Sequence, residues 1–153
     1  MSDAGPVIHL SWIDHLSLLD RLYGEVLLPD AVHDEVLAAP PETPGVEAIQ
    51  EALNRGRLRA VPLALTALGA GEREAILLAE QVGADLLITD DAVARRTASA
   101  RGVRSTGTLG VLKDARMHGF VPAVVPLILE LRRRGQWFSE ELIQEVLREE
   151  RTP

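Results

Sequence analysis

The chain has 153 residues, of which 46% are hydrophobic and 3% aromatic, and it contains no cysteine. These values fit one ordered globular domain, argue against aromatic base-stacking platforms, and exclude disulfides, thiol catalysis and cysteine metal sites. The formal net charge of −7 opposes the basic footprint typical of nucleic-acid binders. Because no apolar run reaches membrane-spanning length and no basic-then-apolar leader opens the chain, we expect a cytoplasmic protein with no membrane partner.

Apolar segments alternate with helical ones along the chain. Glycines at 24, 83 and 102 end predicted helices, while Asp30 and Ser139 are predicted N-caps. The spacing predicts strands over 25–29, 58–63, 84–89 and 103–106. It predicts helices over 15–23, 31–39, 45–55, 72–82, 92–101, 109–118, 122–134 and 140–150.

This alternation predicts parallel strands joined by crossover helices, since parallel strands need such connections. We therefore expect an α/β fold, a three-layer α/β/α sandwich around a central parallel sheet. The chain forms one domain over 1–153 in this interpretation, with residues 122–153 as a C-terminal helical extension. The apolar edge of that extension fits either a partner contact or core packing, and consists of Leu127, Leu131, Leu142 and Val146.

The run from Leu86 to Asp91 is the most informative segment, because an apolar strand ends in Thr89 and two adjacent carboxylates. Ligands of open parallel sheets bind beyond the carboxyl ends of the strands. Adjacent carboxylates repel each other unless a cation lies between them. One aspartate is explained as the N-cap of the helix that follows, which leaves the second unexplained.

Other acids fall at strand ends or in the helical turn after one. Asp3 precedes glycine and proline, which suggests a turn leaving a strand. Glu35 aligns with alanines near the inward face of its helix. Glu72 and Glu74 open another helix and point to nearly opposite sides, so the pattern does not decide which faces inward. Each acid alone also fits turn chemistry, a solvated face or a helix-dipole interaction.

Arginine accounts for all but one of the 16 basic residues, Lys113 being the exception. Arginine side chains match phosphate oxygens bidentately. They cluster after the acid pair, and this cluster is read either as a solvated helix face or as a phosphate-binding rim; it comprises Arg95, Arg96, Arg101, Arg104 and Arg116.

Taken in order, these segments resemble the PIN-domain family, and the resemblance covers nearly the whole chain. It rests on Asp3 with Gly5-Pro6, Val-His-Asp-Glu-Val around Glu35, Gly71-Glu-Arg-Glu-Ala-Ile76, Leu-Ile-Thr-Asp-Asp91, Gly107-Thr108-Leu109-Gly110, and Phe138-Ser-Glu-Glu-Leu142. The closest likeness is to a prokaryotic subfamily similar to toxin ribonucleases of type II toxin–antitoxin modules.

The resemblance implies a Mg²⁺- or Mn²⁺-dependent endoribonuclease. Its acids carry over to Asp3, Glu35, Glu74 and Asp91, with Glu72 as a contender and Asp90 as a neighbour that shares metal binding. Hard divalent cations prefer such oxygen ligands. Thr89 would hydrogen-bond a carboxylate or a metal-bound water, and Arg95 and Arg96 would hold flanking phosphates.

The resemblance further implies a single-stranded RNA substrate, a small antitoxin partner and a homodimer. One departure is that only Met1 and Ser2 precede Asp3, where the family has an apolar strand. We expect either an in-frame apolar stretch upstream or a lost first strand.

Two rival interpretations remain open from the sequence. One is a non-catalytic PIN-fold scaffold or nucleic-acid-binding protein. The other is a receiver-like phosphoacceptor domain, which also carries paired acids on an α/β fold. In a receiver the acid pair follows the first strand, which disfavours that class here.

Overall fold

A computed structural model describes residues 1–40, 42–62, 76 and 79–151. The strands of this part are β1 (Val26–Pro29), β2 (Leu58–Val61), β3 (Leu87–Ile88) and β4 (Ser105–Thr106). Its helices are α1 (Ala4–Trp12), α2 (Leu18–Tyr23), α3 (Asp30–Ala38), α4 (Val46–Asn54), α5 (Ala92–Ala100), α6 (Thr108–Met117), α7 (Val125–Arg133) and α8 (Glu140–Arg151). Of the helix predicted over 72–82, residues 76 and 79–81 are helical, whereas Glu72 and Glu74 lie outside the described residues.

The strands pair in parallel, as the sequence predicts. Val26 to Pro29 of β1 lie beside Leu58 to Val61 of β2, and β3 lies beside β4. The paired part of the strand predicted over 84–89 is only Leu87–Ile88. Its C-terminal end leads directly into Thr89 and the two aspartates.

Residues 1–3 join the two strand pairs. The Ser2 N–H donates to the Leu27 carbonyl at 2.8 Å, on the β1 side. On the β3 side, the Ile88 N–H donates to the Met1 carbonyl, and the Asp3 N–H donates to the Ile88 carbonyl, both at 2.9 Å. This short extended segment therefore lies between β1 and β3, and it delivers Asp3 to the carboxyl end of β3.

Helix α1 was not predicted, because Gly5 and Pro6 indicated a turn after Asp3. The structure instead starts a helix at Ala4, with Asp3 as its N-cap. Pro6 is tolerated there because the N–H groups of the first helical turn have no partner within the helix. Val7 and Leu10 then bury one face of α1 completely.

The buried apolar side chains of the described residues form two clusters on opposite faces of the sheet, since consecutive strand residues point to opposite sides. Leu28 and Ile88 pack into the larger cluster with α1, α4 and α6, whereas Leu87 packs with Ala94 and Ala98 of α5 in the smaller one. This arrangement confirms the three-layer α/β/α class. Helices α7 and α8 add four buried residues to the larger cluster, Ile128, Leu131, Ile143 and Val146. Among the described residues, no helix is long and apolar enough to span a bilayer.

Candidate functional site

Thr89 lies at the carboxyl end of β3 and connects two of the predicted acids. Its side chain is almost fully buried, at 1% exposure. The hydroxyl donates a hydrogen bond to Asp3 Oδ2 at 3.1 Å and accepts one from the Asp91 N–H at 3.2 Å. Residues from the start and the middle of the chain therefore meet around one hydroxyl.

Asp3 and Asp91 also begin the helices that follow them. Asp3 Oδ1 accepts the Ala4 N–H at 2.7 Å, and Asp91 Oδ1 accepts the Ala94 N–H. Both carboxylates thus lie at helix N-termini, where the helix dipole favours negative charge. The predicted cap after β3 is confirmed, and Asp91 provides it.

Asp90 points to other partners. Its Oδ1 accepts the Thr108 N–H at 2.7 Å. Its Oδ2 lies 2.6 Å from the Thr108 hydroxyl and 2.8 Å from His9 Nδ1. Partial burial by itself raises the pKa of Asp90, but the hydrogen bonds from His9 and Thr108 together outweigh it and hold that pKa below its usual value. The aspartate that the cap left unexplained therefore anchors the N-terminus of α6.

Sequence reasoning missed His9 altogether and gave Thr108 no role. His9 belongs to α1, so recognising Asp3 as a helix cap would have placed it a turn and a half along a helix that starts at the site. Thr108 begins α6 directly after Gly107, which has no side chain that could cap the helix. The cap comes instead from Asp90, 18 residues earlier, which no local pattern reveals.

Small residues leave room for the Asp90 carboxylate. A Cβ added at Gly107 would lie 2.8 Å from Asp90 Oδ1 and 3.2 Å from the Thr89 carbonyl oxygen. A Cβ added at Gly5 would lie 3.6 Å from Asp90 Oδ2, an ordinary contact. Gly107 is therefore needed for close approach, whereas Gly5 is not.

The two predicted phosphate-binding arginines differ in their surroundings. Arg95 is half-buried and donates from Nη1 to the Thr89 carbonyl at 3.0 Å. Arg96 is exposed. Arg95 therefore supports the strand end from which the acids emerge, and Arg96 is the more accessible cation.

The prediction that Glu35 lies near the inward face of its helix is wrong, and Glu72 and Glu74 lie outside the described residues. Glu35 is exposed on α3, which buries Val32 and Val36 instead. Within the described part of the chain, no three histidine, aspartate or glutamate side chains form a group able to hold a metal ion. Asp3, Asp90 and Asp91 all lie at the end of β3, but their carboxylates do not form such a group.

A family model described as DUF3368, PIN domain, matches residues 1–151. The chain belongs to the PIN-domain family. Membership sets aside the receiver-like interpretation. Comparison with curated proteins gives no significant match, and neither does comparison with solved structures.

PIN domains are in general nucleases, and they typically use divalent metals. The carboxylate oxygens of Asp3 and Asp91 are of the type that hard cations prefer, and the chain has no cysteine. Asp91 Oδ2 accepts no hydrogen bond from the described residues. Asp3 Oδ2 has only the Thr89 hydroxyl as its partner there.

Proposed function

We propose that this PIN domain is a divalent-metal-dependent endoribonuclease that hydrolyses phosphodiester bonds in single-stranded RNA. The observation that carries the proposal is the position of the Thr89 hydroxyl between two acids. It donates to the Asp3 carboxylate and accepts the backbone N–H of Asp91, so both residues are held at one strand end. Two acids held this way form the nucleus of an oxygen-donor site in a family of nucleases.

Each residue of the site has a proposed task. Asp3 and Asp91 provide carboxylate oxygens to Mg²⁺ or Mn²⁺, and Glu35 with Glu74 or Glu72 completes the donors. Once bound, the cation would activate a water for attack on phosphorus and neutralise charge on the scissile phosphate. Thr89 orients the Asp3 carboxylate, and Arg95 and Arg96 hold the flanking phosphates of the RNA.

We further propose that the protein is the toxin of a toxin–antitoxin module, a homodimer neutralised by a small antitoxin. The apolar edge noted in the sequence is accounted for by packing, since Leu131 and Val146 are buried in the core. Exposed apolar side chains on or after α7 are better candidates for a partner contact, namely Leu129 at 45% and Trp137 at 77% exposure.

The deciding experiment incubates the protein with single-stranded RNA and with DNA of the same base sequence, in Mn²⁺ or in chelator. We expect cleavage of RNA in Mn²⁺ only. Asp3→Asn should abolish it, because the substitution removes an anionic ligand, while the asparagine remains a good helix cap. Cleavage that persists in chelator, or in a folded Asp3→Asn variant, would contradict the proposed mechanism.

A non-catalytic PIN scaffold is the second candidate. It is favoured by the helix caps, because these account for one oxygen of Asp3 and one of Asp91 without any metal. The two candidates differ in a Mn²⁺ titration followed by thermal unfolding. A cation that binds the native state raises the Tm by mass action, and a scaffold without a metal site gives no rise.

A further inference from the structure

The Asp90 carboxylate has a full set of partners. Thr108 gives it two hydrogen bonds, from its N–H and its hydroxyl, and His9 Nδ1 lies 2.8 Å from it. Thr108 is fully buried, and the side chains of His9 and Asp90 are 13% and 23% exposed. These contacts tie together α1, the end of β3 and the first residue of α6.

We propose that Asp90 is a positioning residue of the site and not a metal ligand, and that it acts through His9 and Thr108 to hold Thr89 and Asp91 in place. Three partners already contact its carboxylate, two of them at Oδ2, whereas each oxygen of Asp3 accepts one hydrogen bond, so Asp90 has less lone-pair capacity left for a cation than Asp3 has. As the residue between Thr89 and Asp91, Asp90 fixes the backbone that carries them. This inference rests on the proposed function.

The contrast with Asp91 supports this division of roles. Asp91 uses one oxygen for its own helix and leaves Oδ2 without a hydrogen bond from the described residues. Asp90 instead faces donors on two other elements. Gly107 lets the α6 N-terminus approach Asp90 so closely that a Cβ there would lie 2.8 Å from Oδ1. A carboxylate so enclosed has little freedom to turn toward another ligand.

The test compares Asp90→Asn, Asp90→Ala and Asp91→Asn in the full chain. Asparagine keeps the shape of Asp90 and an oxygen for the Thr108 N–H, and its amide can donate to His9 once the imidazole changes tautomer. We expect the Mn²⁺ dissociation constant of Asp90→Asn to stay within about threefold of the parent, and that of Asp90→Ala to rise about tenfold, as for outer-shell partners of metal sites. Asp91→Asn should lose at least about tenfold as a ligand variant.

Three readouts separate the possibilities: Mn²⁺ binding by electron paramagnetic resonance, hydrogen exchange of the first-turn amides of α6, and RNA cleavage. Asp90→Ala should speed exchange at Thr108, and Asp90→Asn should restore protection. Thr108→Val should reproduce part of the Asp90→Ala loss of Mn²⁺ affinity, with Thr108→Ser as the rescuing control.

A folded Asp90→Asn variant that loses Mn²⁺ as completely as Asp91→Asn would overturn the inference and make Asp90 a ligand. A parent protein that binds no Mn²⁺ would overturn it as well. If the parent binds Mn²⁺ but cleaves no RNA, the proposed function fails, while Mn²⁺ binding and exchange still decide the role of Asp90.

Discussion

The hydroxyl of Thr89 donates to the carboxylate of Asp3 across 86 residues of chain. The same oxygen accepts the Asp91 N–H, so one buried side chain positions both the Asp3 carboxylate and the backbone of Asp91. A short polar link of this kind is costly to break, because burial leaves no water to replace the lost partners.

Removal of the Thr89 hydroxyl should weaken both fold and site. Thr89→Val keeps the shape of the side chain but leaves the Asp91 N–H without its acceptor, so we expect a loss of about 1–3 kcal/mol in the free energy of unfolding. Mn²⁺ affinity should fall about tenfold, as for a lost outer-shell hydrogen bond. Urea unfolding and Mn²⁺ titration measure the two effects. Thr89→Ser should behave almost as the parent, and an equal loss in both variants would argue against the hydroxyl.

Two substitutions at Asp91 separate its structural role from its proposed metal role. Asp91→Asn should leave the free energy of unfolding nearly unchanged, because asparagine caps helices as well as aspartate does. Asp91→Ala should lose about 1 kcal/mol with the cap. Both should lose Mn²⁺-dependent stabilisation. Thermal unfolding with and without Mn²⁺ measures this, and a full Mn²⁺ response in Asp91→Asn would remove Asp91 from the ligands.

The close approach at Gly107 should make it intolerant of a side chain. Gly107→Ala places a Cβ against Asp90 and the Thr89 carbonyl, so we expect a loss of about 1–3 kcal/mol from overpacking. Gly5→Ala is the matched control, since its Cβ meets only ordinary contacts and alanine is favoured within helix α1. The free energy of unfolding of each variant tests the contrast. If both alanines are tolerated equally, the turn before α6 is looser than described.

The exposed Arg96 should contribute to RNA affinity through its charge. Arg96→Ala should lower that affinity uniformly across RNA sequences. It should also reduce the steepness of log affinity against log salt concentration by about 1, the contribution of one phosphate contact. Arg95→Ala should in addition lower stability, because Arg95 supports the Thr89 carbonyl. Arg55→Ala is the charge-matched control, at the C-cap of α4 and paired with Glu51. Fluorescence anisotropy at several salt concentrations measures the slopes. Identical slopes in all three variants would contradict the proposal that Arg95 and Arg96 bind phosphates.

Tyr23 should respond to alkaline pH. Burial raises the pKa of Tyr23, and the hydrogen bond to Asp114 with its negative charge adds to the shift. Because the folded-state pKa exceeds the unfolded value of about 10, this stabilisation is complete below about pH 10 and is lost as the pH rises above it. Since the chain has a single tyrosine, tyrosinate absorbance reports Tyr23 alone.

The control for that prediction is Tyr23→Phe. It should lose about 1 kcal/mol near neutral pH with the hydrogen bond, and its stability should fall less steeply above about pH 10. If Tyr23 titrates in the folded protein like a free tyrosine, the contact with Asp114 does not hold in solution.

Local chemistry was enough to predict much of the fold. Glycine ends helix α2 with φ of 71° at Gly24, and the Ser139 hydroxyl accepts the Leu142 N–H at the start of α8, both as predicted. The predicted cap at Asp30 is wrong, because α3 already includes Asp30 and its N-cap position is Pro29. Such signals are readable because caps and turns depend on residues a few positions apart. The same local signals hid helix α1, because Gly5 and Pro6 are common in turns and were interpreted as one.

By itself, the sequence determined the order of the strands, their parallel pairing and the placement of Asp3, Asp90 and Asp91 at strand ends, since these follow from periodicity and from short-range backbone chemistry. Only the tertiary structure decided that Thr89 joins Asp3 to Asp91, and that Asp90 turns away toward His9 and Thr108. Those contacts span 18 to 86 residues of chain for all but one pair, and the direction of a side chain across such a distance depends on how the layers pack.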